Sequence, residues 1–120
     1  MGPRNLRIDQ LKLDLGNPRI GDAANQHGAM QALIDDQDYK LANLAENIVE
    51  NGLNPLDRFL VMRDEDRAFI VLEGNRRAVA LKMLVNPAVL TGLEVRPALQ
   101  KRFEALAARF DRSSVEPLAG

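Results

Sequence analysis

The sequence predicts an α+β domain: a small mixed sheet with a β-hairpin, flanked by about four helices. Three observations carry that prediction. Two short apolar runs, Phe59 to Met62 and Ala68 to Leu72, are separated by the polar turn Asp64-Glu65-Asp66, the pattern of a hairpin. Leu41, Leu44, Ala45 and Ile48 form an apolar stripe at helical spacing. Gly74-Asn75 follows the second apolar run directly and leads into strong helix formers, which marks a strand-to-helix junction. A chain of 120 residues can build one core and is too short for two. Residues 1–112 are expected to form that domain, with 113–120 a frayed tail or the start of a linker.

Taken in order, Leu6 to Ile8 and Leu11 to Leu13 alternate in the strand manner around Asp9-Gln10, until Gly16-Asn17-Pro18-Arg19 breaks the pattern with turn residues. After the polar stretch Gly21 to Gly28, Met30, Leu33 and Ile34 fall at helical spacing and predict a short helix over about 29–35. Asp38 is placed to cap the next helix, which Asn51-Gly52 should stop. Leu53-Asn54-Pro55 then turns the chain into the hairpin. The helix after Gly74 runs to Asn86-Pro87, and Leu99, Phe103, Leu106 and Phe110 predict a last helix between about Glu94 and Phe110.

Composition removes several classes of function. Without cysteine there is no disulfide, thiolate metal site or thiol nucleophile. His27 is the only histidine, so there is neither a triad with a spare base nor a multi-histidine metal site; it reads as a surface or cap-adjacent side chain. No apolar run approaches the roughly 20 residues of a membrane span, and no apolar stretch follows Met1 to Asn5, so a cytoplasmic chain is expected. A net charge of -1 gives no global field toward polyanions, and any such binding must come from a local cluster. Arginines outnumber lysines twelve to four, which reflects either bidentate anion recognition or genome composition.

The local cluster is Leu72-Glu73-Gly74-Asn75-Arg76-Arg77. A helix start carries N–H groups without helical acceptors and partial positive charge, so it stabilises an anion. Capping preferences would put Asp or Glu in that first turn, yet this chain has Arg76 and Arg77 there. Two cations at a positive helix end are unfavourable unless an anion joins them. The competing reading is an ordinary surface, with the arginines paired to Glu73, Asp57 or the acidic turn at 64–66. Glu73 is either such an ion-pair partner or a ligand for Mg²⁺ shared with a phosphate oxygen.

Two stretches together resemble a known family. Leu44 to Leu56, with Gly52-Leu53-Asn54-Pro55 at its end, is followed by the hairpin and then by Glu73-Gly74-Asn75-Arg76-Arg77-Ala78-Val79-Ala80. That order and spacing is similar to the N-terminal domain shared by ParB partition proteins and sulfiredoxins. Ile8-Asp9-Gln10-Leu11 and Asn17-Pro18-Arg19 are similar to the opening of ParB domains, so the likeness covers about residues 6–86. It implies a nucleotide site, with CTP or ATP as the ligand class and Mg²⁺ as its companion. Gly74, Asn75, Arg76 and Arg77, beside Glu73, would form the phosphate loop. Gly52, Leu53, Asn54 and Pro55 would form the opposite wall, with Arg19 reaching the same cleft.

The chain also departs from that pattern. ParB domains usually carry Gly-Glu-Arg-Arg followed by an aromatic and another arginine, where this chain has Gly74-Asn75-Arg76-Arg77-Ala78-Val79. The Glu-Asn-containing segment that ParB proteins use with metal and for hydrolysis has no clear counterpart between Leu81 and Gly120. Sulfinic acid reduction is excluded, because it needs a cysteine where Asn75 stands. The resemblance therefore implies binding and leaves NTPase or nuclease turnover open. Three roles follow as expectations: a nucleotide switch that changes contact with a partner or a second copy in a homodimer; a DNA-binding or nuclease domain of a larger DNA-processing or phage-defence protein; or an interaction domain without ligand.

Overall fold

The computed structural model describes residues 5–14, 25–53, 59–64, 68–116 and 118–119. Its order is β1 (Asn5–Leu6), a 3₁₀ turn (Ile8–Gln10), β2 (Leu11–Leu13), α1 (Gln26–Gln37), α2 (Tyr39–Asn51), β3 (Leu60–Arg63), β4 (Phe69–Glu73), α3 (Asn75–Val85), a 3₁₀ segment (Pro87–Gly92), α4 (Pro97–Arg109), a 3₁₀ turn (Arg112–Ser114) and β5 (Leu118–Ala119). This is the predicted α+β architecture: a three-stranded mixed sheet and four α-helices. Among the described residues no helix is long and apolar enough to cross a membrane.

The most apolar strand, β4, lies at the centre of the order β2-β4-β3. The predicted hairpin is its antiparallel pairing with β3, Met62 opposite Ile70 and Arg63 opposite Phe69, with an irregularity between Leu60 and Val61. On the other side β2 runs parallel to β4, Leu11 to Leu13 matching Phe69 to Val71. Leu11, Leu13 and Val71 are buried, whereas Lys12 between them reaches Asp64 at 3.0 Å. Leu60 and Met62, on the opposite face of β3 from Val61, are half exposed.

The helices differ from expectation mainly at their ends. α1 begins earlier than Ala29 because Asn25 accepts a hydrogen bond from the Gly28 N–H at 2.8 Å, a side-chain N-cap. Gln26 then clamps the β2 end, accepting from the Leu13 N–H at 2.6 Å and donating to the Leu13 carbonyl at 2.8 Å. His27 is exposed, one residue further into this helix. Asp38 stands at the N-cap of α2 but makes no side-chain cap; its carboxylate takes Arg96 instead, at 2.7 Å. α4 starts at Pro97, a residue pre-set for a first helical position, rather than near Glu94. Glu94 is pinned to α1 by both ends of the Gln31 amide, at 2.8 and 2.9 Å. Leu99, Phe103 and Leu106 turn into the domain's own core with Leu41, Ala45, Ile48, Leu81 and Leu84.

The expected tail at 113–120 needs correction. Val115 is 6% exposed and Leu118 1%, and β5 pairs antiparallel with β1, Leu6 opposite Leu118. Glu116 accepts from the Ile8 N–H at 3.0 Å and from Arg112 at 2.7 Å. Arg112 also lies 3.5 Å from Asp9, whose carboxyl the Arg7 hydrogen bond already holds below its ordinary range. Two buried apolar side chains are too few to show a periodicity, and their partners are more than a hundred residues away in sequence. Leu118→Ala is expected to cost about 2–4 kcal/mol, as for other buried leucines cut to alanine. Urea unfolding measures it, and an unchanged midpoint would restore the tail reading.

Candidate anion-binding cleft

The carboxyl ends of the parallel strands β2 and β4 come together where α3 begins. Gly74 is the residue between β4 and α3, with φ 104, a left-handed conformation that L side chains adopt only under strain. As N-cap it has no side chain to cover the helix start, and the first intrahelical bond is that from Ala78 N–H to the Gly74 carbonyl, 2.8 Å. No acidic residue occupies the first turn. The sequence-predicted junction thus exists in the form that favours an anion.

The four residues after the strand play different parts. Asn75 is 6% exposed and faces inward, not toward the cleft: its Nδ2 donates to the Val71 carbonyl at 2.9 Å and its Oδ1 accepts from the Asp14 N–H at 3.2 Å. It ties the ends of β2 and β4 to the helix start. Its side chain is therefore a structural tie. Asn75→Ala would leave two backbone groups without these partners and is expected to lower stability by about 2–4 kcal/mol in urea unfolding. Arg76 is exposed and bonds Gln37 Oε1 at 3.3 Å. Arg77 is half-buried, its guanidinium carbon 5.0 Å from the centroid of the Phe59 ring. Phe59 is itself only 2% exposed, so it is a fixed platform beneath Arg77. Glu73 is exposed and enters none of the ion pairs among the described residues, against the reading that it neutralises Arg76 or Arg77.

A cleft of about 790 Å³ opens here, with Leu72, Glu73, Gly74, Asn75, Arg76 and Arg77 along one side. The facing wall comes from the last turns of α1, through Leu33 and Gln37, and from the first turns of α2, through Lys40, Leu41 and Leu44. Gly52 and Leu53, expected as the opposite wall, are not among the described residues that line it. The reason is the length of α2: Gly52 caps its far end, roughly 18 Å along the axis from Lys40 at 1.5 Å per residue. Leu53 packs on the core instead. Asn54, Pro55 and Arg19 lie outside the described residues, as do Asp57, Glu65 and Asp66.

Lys40, Gln37, Leu33 and Phe59 are therefore site residues that sequence reasoning missed. A signal existed for one of them. Lys40 is a cation in the first turn of α2, which has no acidic residue there either, the same anomaly that singled out Arg76 and Arg77. Two helix starts and three cations thus border one cleft, with Glu73 the sole carboxylate among its described lining residues. Chemically this suits a polyanion with an apolar end: charge at Lys40, Arg76 and Arg77, and the half-buried Leu44 and Leu72 beside it. Comparison with protein-family models, curated proteins and solved structures gives no match.

Proposed function

We propose that this chain is a nucleotide-binding module of the ParB-like class, in which the start of α3 holds the phosphates of a nucleoside triphosphate such as CTP or ATP. The observation that carries the reading is the coincidence of an uncapped glycine helix start with Arg76, Arg77 and Lys40 around a cleft of about 790 Å³, inside the size range of small-ligand sites. Arg76 and Arg77 contribute charge-assisted hydrogen bonds to phosphate oxygens, and Lys40 adds a point charge from the opposite wall. Leu44 and Leu72, half-buried, supply the apolar surface against which the nucleoside lies, with Leu33 and Leu41 buried beneath. Glu73, exposed at the edge of the cleft, is the carboxylate that would hold Mg²⁺ jointly with the phosphates; alone it is too few ligands for the ion. The position at the carboxyl ends of parallel strands agrees with where open sheets bind ligands in general.

Titration calorimetry with the four common nucleoside triphosphates and inorganic tripolyphosphate, each with and without Mg²⁺, tests this. At least one nucleotide should bind more tightly than tripolyphosphate, because the leucine wall adds to the phosphate contacts. Absence of heat for every ligand would rule the reading out.

A further inference from the structure

Gln37 is the most deeply buried polar side chain of the cleft wall apart from Asn75, at 8% exposure. It closes α1, and its amide is held at both ends: Nε2 donates to Asp36 Oδ2 at 2.5 Å, and Oε1 accepts from Arg76 at 3.3 Å. A carboxylate only accepts and a guanidinium only donates, so one orientation of the amide satisfies both partners. Asp36 therefore fixes which end of Gln37 meets Arg76. The backbone beneath is fixed as well. Asp38 has φ 50, the only positive φ outside glycine among the described residues, and its carboxylate is held by Arg96 at 2.7 Å. A strained conformation of this kind persists only where its surroundings over-determine it.

Among the described residues the partner of Arg76 differs from most. Arg7, Arg96, Arg109 and Arg112 rest on carboxylates, and Arg102 on Glu46 together with the Asn43 amide oxygen, whereas the described partner of Arg76 is a neutral amide oxygen with no carboxylate beside it. A carboxylate would place the guanidinium equally well but would cancel its charge. We infer that Gln37 is the positioning residue of the phosphate site: it holds Arg76 over the cleft with a neutral acceptor, so that the guanidinium is in place before the anion arrives and keeps its charge for it. The contact at 3.3 Å is long for a hydrogen bond to a guanidinium and is readily exchanged for a phosphate oxygen. The inference rests on the triphosphate reading given above.

The test is a double-mutant cycle in which inorganic tripolyphosphate and the preferred nucleotide are titrated into the wild type, Gln37→Glu, Arg76→Ala and the combined variant, with melting temperatures alongside. Gln37→Glu keeps size and the acceptor toward Arg76 but loses the donor to Asp36 and sets a second carboxylate oxygen against it, so it should melt below the wild type and, where folded, bind about tenfold or more weakly, because the new carboxylate neutralises Arg76. In the Arg76→Ala background the same change should cost less than about threefold, since there is no guanidinium left to neutralise. Gln37→Met, neutral and of similar volume, should lose only about threefold through lost placement, and it serves if the carboxylate prevents folding. Wild-type affinity in Gln37→Glu, or in Gln37→Met where that variant stands alone, overturns the inference. So do losses that multiply in the combined variant, which would mean that the carboxylate acts on the ligand directly. A wild type that binds neither ligand overturns the phosphate site itself and this role with it, and is distinguished by the first titration.

Discussion

Replacing Arg76 and Arg77 together by alanine is expected to weaken nucleoside triphosphate binding on the order of a thousandfold, since each charge-assisted hydrogen bond contributes about 1.5–3 kcal/mol. Arg76→Ala alone should fold as well as the wild type. Arg76 gives up one long bond to Gln37. Against that loss stands the removal of a like charge from a positive helix end, which favours α3 by a few tenths of a kcal/mol. In Arg76→Ala binding and stability should therefore move apart, by about tenfold or more in one and a few degrees at most in the other. Calorimetry and thermal unfolding on the same samples give both numbers. If affinity is retained, the arginines are surface charges; if the protein unfolds, they are structural.

The core of this site was legible in the sequence because it is local. Gly74, the strand before it and the two arginines after it lie within a dozen residues, and the conformations they demand are set by neighbours along the chain. The hairpin, α2 with its Gly52 stop, and α3 with its stop at Asn86 were legible for the same reason. What escaped was decided across the fold. The start of α1 depends on Asn25 and on the Gln26 clamp to β2, neither of which shows in apolar spacing. Burial of Leu118 depends on a strand at the other end of the chain. The wall facing Arg76 is set by which end of α2 meets α3. A family likeness pointed to Gly52–Pro55 for it, and did not name Lys40 and Gln37, which line it among the described residues. Asn75 is the subtle case. It stands in the loop that sequence selected, yet its amide turns inward to join two strands.

Gly74→Ala is expected to be the most damaging small substitution at the site, lowering stability by about 2–5 kcal/mol. Two separate costs add. The first is backbone strain, since φ 104 is far from what an L residue adopts. The second is steric: a Cβ there would stand 2.8 Å from Phe59 Cδ1 and 3.1 Å from Arg77 Nη2. Phe59 is 2% exposed and cannot swing away without disturbing the core, and any shift of its ring carries Arg77 with it. Affinity for the triphosphate should therefore fall even at temperatures where the variant remains folded. Gly52→Ala separates the two costs. Its φ of 69 with ψ -165 is a conformation that essentially glycine alone visits, but nothing lies within 4 Å of the added Cβ, so only the strain applies, about 1–3 kcal/mol. Because Gly52 lies at the far end of α2, its replacement should leave triphosphate affinity within about twofold of wild type once the protein is folded. Equal destabilisation by the two alanines in urea unfolding would show that the contact with Phe59 relaxes freely. Equal loss of affinity would place the ligand against Gly52 after all.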